Sequence, residues 1–253
     1  MYGSGLRSLA GIPAVVTGAS RGIGAAVART LAALGAPVAV AYRSEEEAAQ
    51  KVVAAIEADE GRAAAFRVDV SSWVEVDRLF RRVEHELGSP GILVNNAGIH
   101  RGGRIASLAL SDWDAVLATD LTGAFLCARR AVPGMLEREW GRIVNVSSIV
   151  GLKGFPGDTP YAAAKAGLLG LTKALALELA PEGVTVNALC PGFVETDMTR
   201  GLSARALERA NAGIPLGRQA DAQEIADATA FLVAGPGYIT GSTLVVDGGW
   251  LLA

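Results

Sequence analysis

Cysteine is nearly missing from this chain. Only Cys127 and Cys190 occur in 253 residues, far apart, so neither a disulfide framework nor a cysteine metal site is indicated, and both are expected in the core. Histidine is as scarce: His85 stands among Arg81, Arg82, Glu84 and Glu86 and reads as solvated, and with only His100 besides, no metal cluster is expected. Long apolar runs are missing too. The best candidate, from Ala25 to Tyr42, is interrupted by Arg29 and Pro37 and falls short of the roughly 18 residues a membrane helix needs. Charge of one sign is lacking, with 23 Lys and Arg against 26 Asp and Glu and no basic block, so no nucleic-acid partner is expected. The N-terminal segment lacks a basic stretch followed by an apolar block and a small-residue cleavage site, and a cytoplasmic location is the default expectation.

Glycine, by contrast, is abundant, at 31 residues against 10 prolines, which points to tight turns and close backbone approach. A chain that is 51% hydrophobic and 19% charged predicts one well-filled domain over 1–253. Short β-branched runs at 14–17, 38–42, 65–69, 92–95, 142–146, 184–188 and 243–246 read as seven strands. Amphipathic segments near 22–34, 45–59, 72–87, 111–138, 160–180 and 221–233 alternate with them, which predicts an α/β, doubly wound Rossmann-type parallel sheet covered on both faces. After the sixth strand, 191–220 is broken by Gly201, Gly213, Pro215 and Gly217, and a substrate lid near 193–213 is expected there.

Directly after the first strand comes Thr17-Gly-Ala-Ser-Arg-Gly-Ile-Gly24, opening into a helix. Glycines at 18, 22 and 24 leave no side chain between a pyrophosphate and the helix N-terminus, where free N–H groups and the dipole favour anions. Gly18, Ser20, Arg21, Gly22, Ile23 and Gly24 are therefore expected to hold cofactor phosphates. The second strand ends Tyr42-Arg43-Ser44, without the acid that an NAD-selective fold places against the ribose 2′-hydroxyl. Arg21 and Arg43, with Ser44, are placed to clamp a 2′-phosphate instead, which predicts NADP(H); a merely solvated Arg43 is the alternative.

Near the end of the fifth strand stands Ser147-Ser148, and the next long helix begins Tyr161-Ala-Ala-Ala-Lys165. Positions i and i+4 share a helix face, so hydroxyl and ammonium project together. An adjacent cation stabilises a phenolate and brings proton exchange into range, while Ser148 is placed to hold a carbonyl oxygen.

From Pro13 to Gly249 the chain resembles the short-chain dehydrogenase/reductase family, most nearly its 3-oxoacyl-acyl-carrier-protein reductases. The likeness rests on Thr17-Gly-x-x-x-Gly-x-Gly24, Asn95-Asn-Ala-Gly98, Ser148, Tyr161-x-x-x-Lys165 and Pro191-Gly192, in that order, with Tyr161 following Ser148 by 13 positions. The resemblance implies that Asp69 and Val70 contact adenine and that Asn96, Ala97 and Gly98 line the ribose. It implies further that Pro191, Gly192, Val194 and Thr196 meet the nicotinamide and phosphates, and that Lys165 also holds the nicotinamide ribose. It implies a ketoreductase acting on a small-molecule or thioester ketone, against an alcohol or sugar dehydrogenase or a cofactor-binding scaffold. It also implies a homodimer or homotetramer through the helices near 111–138 and 160–180, the second of which is apolar on most faces.

The segment before Tyr238, Ala234-Gly-Pro-Gly237, is slightly shorter than usual, and two further places depart from the family. Its fourth catalytic residue is an Asn, whereas this chain reads Asp120-Leu-Thr-Gly123; a carboxylate facing Lys165 and one turned to helix backbone are both open. Basic residues that would dock an acidic carrier protein are replaced by Glu139 and Glu182. His100 and Arg101 follow the Asn-Asn-Ala-Gly motif at the expected cleft edge, where substrate contact and ordinary loop chemistry are both open.

Overall fold

The computed structural model describes residues 6–195, 208 and 211–253. Seven strands form one parallel sheet in the order β3-β2-β1-β4-β5-β6-β7. They are β1 (Ala14–Thr17), β2 (Val38–Tyr42), β3 (Ala63–Arg67), β4 (Ile92–Asn95), β5 (Gly141–Val146), β6 (Val184–Pro191) and β7 (Thr243–Val246). Between them run α1 (Gly22–Ala33), α2 (Glu46–Ala58), α3 (Trp73–Glu86), α4 (Leu110–Leu117), α5 (Gly123–Glu137), α6 (Val150–Lys153), α7 (Thr159–Leu179) and α8 (Ala222–Ala234).

Alternation along the strands divides the core in two. Ala14 and Val16 of β1 pack with Val38 and Val40 beneath α1, α2 and α8, while Val15, Ala39 and Phe66 pack beneath α3, α5 and α7. Both faces of the sheet are thus apolar, as a strand buried on two sides requires. Among the described residues no helix is long and apolar enough to cross a membrane.

Three elements differ from the sequence reading. β3 begins and ends two residues earlier than 65–69, because Asp69 N–H leaves the ladder to bond Glu75 Oε2 at 2.8 Å and turns the chain into α3. The single helix expected over 111–138 is broken by a π-helical turn at Ala118–Thr122, which separates α4 from α5. The four-residue α6 is too short to show a period. The stretch after β6 is tied at its ends: Val194 bridges Ala220, and Ala220 N–H bonds Phe193 carbonyl at 2.9 Å. Most of the expected lid, with Thr196, lies outside the described residues.

Candidate active site

Strand order reverses between β1 and β4, which opens a crevice at their C-terminal ends, where ligands of open α/β sheets bind. The glycine loop lines it. Gly18 adopts φ +63°, and a Cβ there would lie 2.9 Å from Ala97 Cα. At Gly24 a Cβ would lie 2.3 Å from the Gly18 carbonyl, so the loop closes only with glycine at this position. Thr17 Oγ1 accepts the N–H groups of Asn96 and Ala97, each at 3.0 Å. In return Asn96 Nδ2 donates to the Thr17 and Gly18 carbonyls, each at 3.0 Å. The side chain of Asn96 thus fastens the two cofactor segments to each other. Thr17 was not singled out in the sequence, though its place at the strand end before the first glycine was a usable signal.

α1 starts at Gly22 with no side-chain cap and no acid in its first turn. Its N–H groups and dipole therefore face the loop uncompensated, and the glycine cradle fits a dinucleotide phosphate. A cleft of about 460 Å³ opens beside it, lined by Ser20, Arg21, Gly22, Arg29, Lys51 and Asp221 among others. Arg43 is exposed at the end of β2. Burial raises the Asp69 carboxyl, but bonds from the Ser71 hydroxyl and amide, with the charge of Arg43, outweigh it and hold Asp69 below its ordinary range.

On the other side of the crevice lie Ser148, Tyr161 and Lys165, the groups expected from the sequence to move a proton. Lys165 is 4% exposed and Nζ donates to the Val146 carbonyl at 3.1 Å while standing 5.3 Å from the Tyr161 ring centre. The Ser147 hydroxyl donates to the Lys165 carbonyl at 2.7 Å, tying the end of β5 to α7. Gly151 lets α6 pack on that same turn, since a Cβ there would meet the Lys165 carbonyl carbon at 2.7 Å. Ser148 Oγ accepts Val150 N–H at 3.1 Å, so its own proton is left to donate to another oxygen.

Asp120 points inward from the π-helical turn, its side chain fully buried. Oδ1 accepts Ile99 N–H at 2.8 Å. Oδ2 lies 3.3 Å from Lys165 Nζ, an ion pair off the line of a hydrogen bond, and takes no other donor. Burial lowers the Lys165 ammonium, but Tyr161 and Asp120 outweigh it and the net shift is upward; burial likewise raises Asp120. Of the two orientations open in the sequence, the structure adopts the one that faces Lys165.

Two further arrangements were not legible. His100 Nε2 bonds Asp158 Oδ1 at 2.9 Å, and its ring meets the Tyr161 ring edge-on at 5.4 Å between centres. A buried chain runs from Asn95 Nδ2 to Asn145 Oδ1 at 2.8 Å and from Asn145 Nδ2 to Thr172 Oγ1 at 2.9 Å, linking β4, β5 and α7. Glu139 and Glu182, by contrast, precede the starts of β5 and β6, and a Cβ on Gly183 would lie 2.4 Å from the Glu139 carbonyl oxygen. That is the opposite end of the sheet from Ser148. Within one chain these carboxylates do not rim the crevice.

A parallel sheet with a glycine cradle at its switch point, and a Tyr-x-x-x-Lys helix across the crevice, defines a dinucleotide-binding α/β oxidoreductase. A family model described as enoyl-(acyl carrier protein) reductase matches residues 18–251. The 3-oxoacyl-[acyl-carrier-protein] reductase of Synechocystis is 46% identical over 241 residues, covering 94% of this chain and 96% of its own. The Pseudomonas aeruginosa 3-oxoacyl-[acyl-carrier-protein] reductase FabG is 42% identical over 247 residues, covering 97% and 100%. A solved structure titled as a putative gluconate dehydrogenase from Agrobacterium tumefaciens superposes with TM-score 0.93 at 34% identity, covering 97% of this chain and 98% of that one. The chain belongs to the short-chain dehydrogenase/reductase family.

Proposed function

We propose that this protein is an NADPH-dependent ketoreductase that converts the ketone of a 3-oxoacyl-type thioester, or of a related specialised substrate, into a secondary alcohol. The observation that carries the reading is the Tyr161–Lys165 pair on α7, held beside Ser148 by the Ser147-to-Lys165 bond. Several relatives of 42–46% identity carry the name 3-oxoacyl-[acyl-carrier-protein] reductase, which favours a carbonyl over the carbon–carbon double bond in the family model's description.

Bound NADPH supplies the hydride. The α1 N-terminus with Gly18, Ser20, Gly22, Ile23 and Gly24 holds its phosphates, and Arg21, Arg43 and Ser44 hold the 2′-phosphate. Asp69, Val70 and the 96–98 segment take the adenosine side, while Pro191, Gly192, Val194 and Thr196 take the nicotinamide end. Ser148 donates to the substrate oxygen, and Tyr161 gives that oxygen its proton as negative charge develops. Lys165, kept cationic, stabilises the phenolate left behind and bonds the nicotinamide ribose. In the assembled state, α4–α5 and α7 meet a second copy, giving a cytoplasmic homodimer or homotetramer.

The test is a panel of 3-oxoacyl substrates, as free acids, CoA thioesters and carrier-protein thioesters, with NADPH or NADH. NADPH oxidation matched by 3-hydroxy product from a thioester is the expected result. A protein that reduces none of them but oxidises sugar acids with NADP⁺ would place it instead with the gluconate dehydrogenase of similar fold.

A further inference from the structure

We propose that Asp120 is a positioning residue that pins the Lys165 ammonium and takes up part of its field, so that Tyr161 keeps its proton to higher pH than it would beside an amide. The inference rests on the reading of Tyr161 as proton donor and deepens it. It concerns a position where the family resemblance implies asparagine and this chain has a carboxylate.

The geometry leaves the carboxylate little else to do. Its side chain has no exposure to solvent, and Oδ2 takes no hydrogen bond while sitting 3.3 Å from Nζ. A buried carboxylate that has lost its hydration needs a cation to keep its charge. Thr119 and Asp120, neighbours in the π-helical turn, are both buried. Gly98 completes the fit: a Cβ there would lie 2.7 Å from Oδ2 and 3.3 Å from Nζ, directly over the pair. Through Oδ1 and Ile99 N–H, the same carboxylate fastens the end of the cofactor segment to this lysine.

The charges around Lys165 come from four elements besides Asp120's turn. Tyr161 lies on its own helix, the Val146 carbonyl on β5, Cys190 on β6, and His100, which acts on Asp120, follows β4. Among the described residues, only Asp120 brings a carboxylate against the ammonium. An ammonium stabilises a neighbouring phenolate, and a carboxylate paired with the same ammonium weakens that effect. Tyr161 must be protonated to reduce a ketone, and while Lys165 stays cationic, removing the carboxylate lets the phenol lose its proton at lower pH.

The experiment is a tyrosinate absorbance titration of the cofactor-free protein, with the Tyr161→Phe variant as background, in wild type and Asp120→Asn. The amide keeps the shape and, with its oxygen on Ile99 N–H, that acceptor, but it carries no charge and turns an NH2 toward the ammonium in place of Oδ2. The Tyr161 transition is expected to fall by about one pH unit, within the range that neighbouring opposite charges produce, and the basic limb of the kcat/KM profile for reduction to fall with it. Gly98→Ala, which crowds the carboxylate off the ammonium without changing any charge, is expected to shift the phenol in the same direction, and serves if Asp120→Asn fails to fold. Coincident phenol titrations would overturn the proposal. Because the titration needs neither substrate nor cofactor, it reads the pair even if no ketone is reduced.

Discussion

Arg43 and Tyr161 each stake the account on one side chain. Arg43 is exposed at the end of β2, in a Tyr42-Arg43-Ser44 run that itself holds no acid. A charge-assisted contact to a phosphate contributes about 1.5–3 kcal/mol, so Arg43→Ala is expected to erase most of a preference for NADPH over NADH. Fluorescence titration with both nucleotides checks this, and equal affinities in the unmodified protein contradict it. Tyr161→Phe removes the proton donor and little else. Turnover is expected to fall by about 10²–10⁴-fold with NADPH affinity nearly kept, while Lys165→Ala weakens binding as well. Ser148, Tyr161 and Lys165 were legible because their spacing is local: two lie one helical turn apart, and the third ends a strand that feeds the same crevice. The inward turn of Asp120 was not, since an ordinary helix and a π-helical turn have the same composition and differ only in where the side chain points. Nor was the His100–Asp158 bond, whose partners are 58 residues apart and meet only in the folded chain.

Among the elements, the best-specified helix start is that of α8. Asp221 accepts Gln223 N–H at 2.9 Å, Glu224 accepts Asp221 N–H at 2.9 Å, and Arg218 grips Glu224 with bonds of 2.7 and 2.8 Å. The Arg218 bonds, then the Asp221 amide, hold the Glu224 carboxyl down from 4.5 to about 2. A depressed carboxyl contributes stability above its unfolded value and loses it as pH falls through the folded one. Glu224→Gln is therefore expected to lower the thermal midpoint slightly at neutral pH, with the gap to wild type closing between about 4.5 and 2. A gap of constant size down to the acid end contradicts this sign. Element types were legible from period and turn residues, because strands buried on both faces and amphipathic helices such as α3 announce themselves. Their ends were less so: β3 is cut short by side-chain bonds around Asp69, which no local propensity records.

At the scale of the whole molecule, α7 and the α4–α5 pair carry apolar side chains that one chain leaves uncovered. Leu177 is 82% exposed and Phe125 44%, although both sit on helices whose inner faces are well packed. A second copy is the proposed cover, and Leu177→Glu or Phe125→Glu is expected to lower the assembled mass seen by light scattering; unchanged mass in both variants contradicts the proposed faces. An apolar face beyond the core could be anticipated from helix apolarity, but not which side chains remain outside, since that depends on how the sheet and α3 use up the rest.

The central claim is that the crevice between the glycine cradle and α7 passes a hydride to a ketone carbon while Tyr161 protonates its oxygen. It is tested most directly by following the label from NADPH deuterated at its transferable position into product formed from a 3-oxoacyl thioester, in wild type and in Tyr161→Phe. The account predicts deuterium on the carbinol carbon of the 3-hydroxy product, at a rate that collapses in Tyr161→Phe while NADPH still binds. Unlabelled product, or a Tyr161→Phe variant that transfers deuterium as fast as wild type, would contradict it.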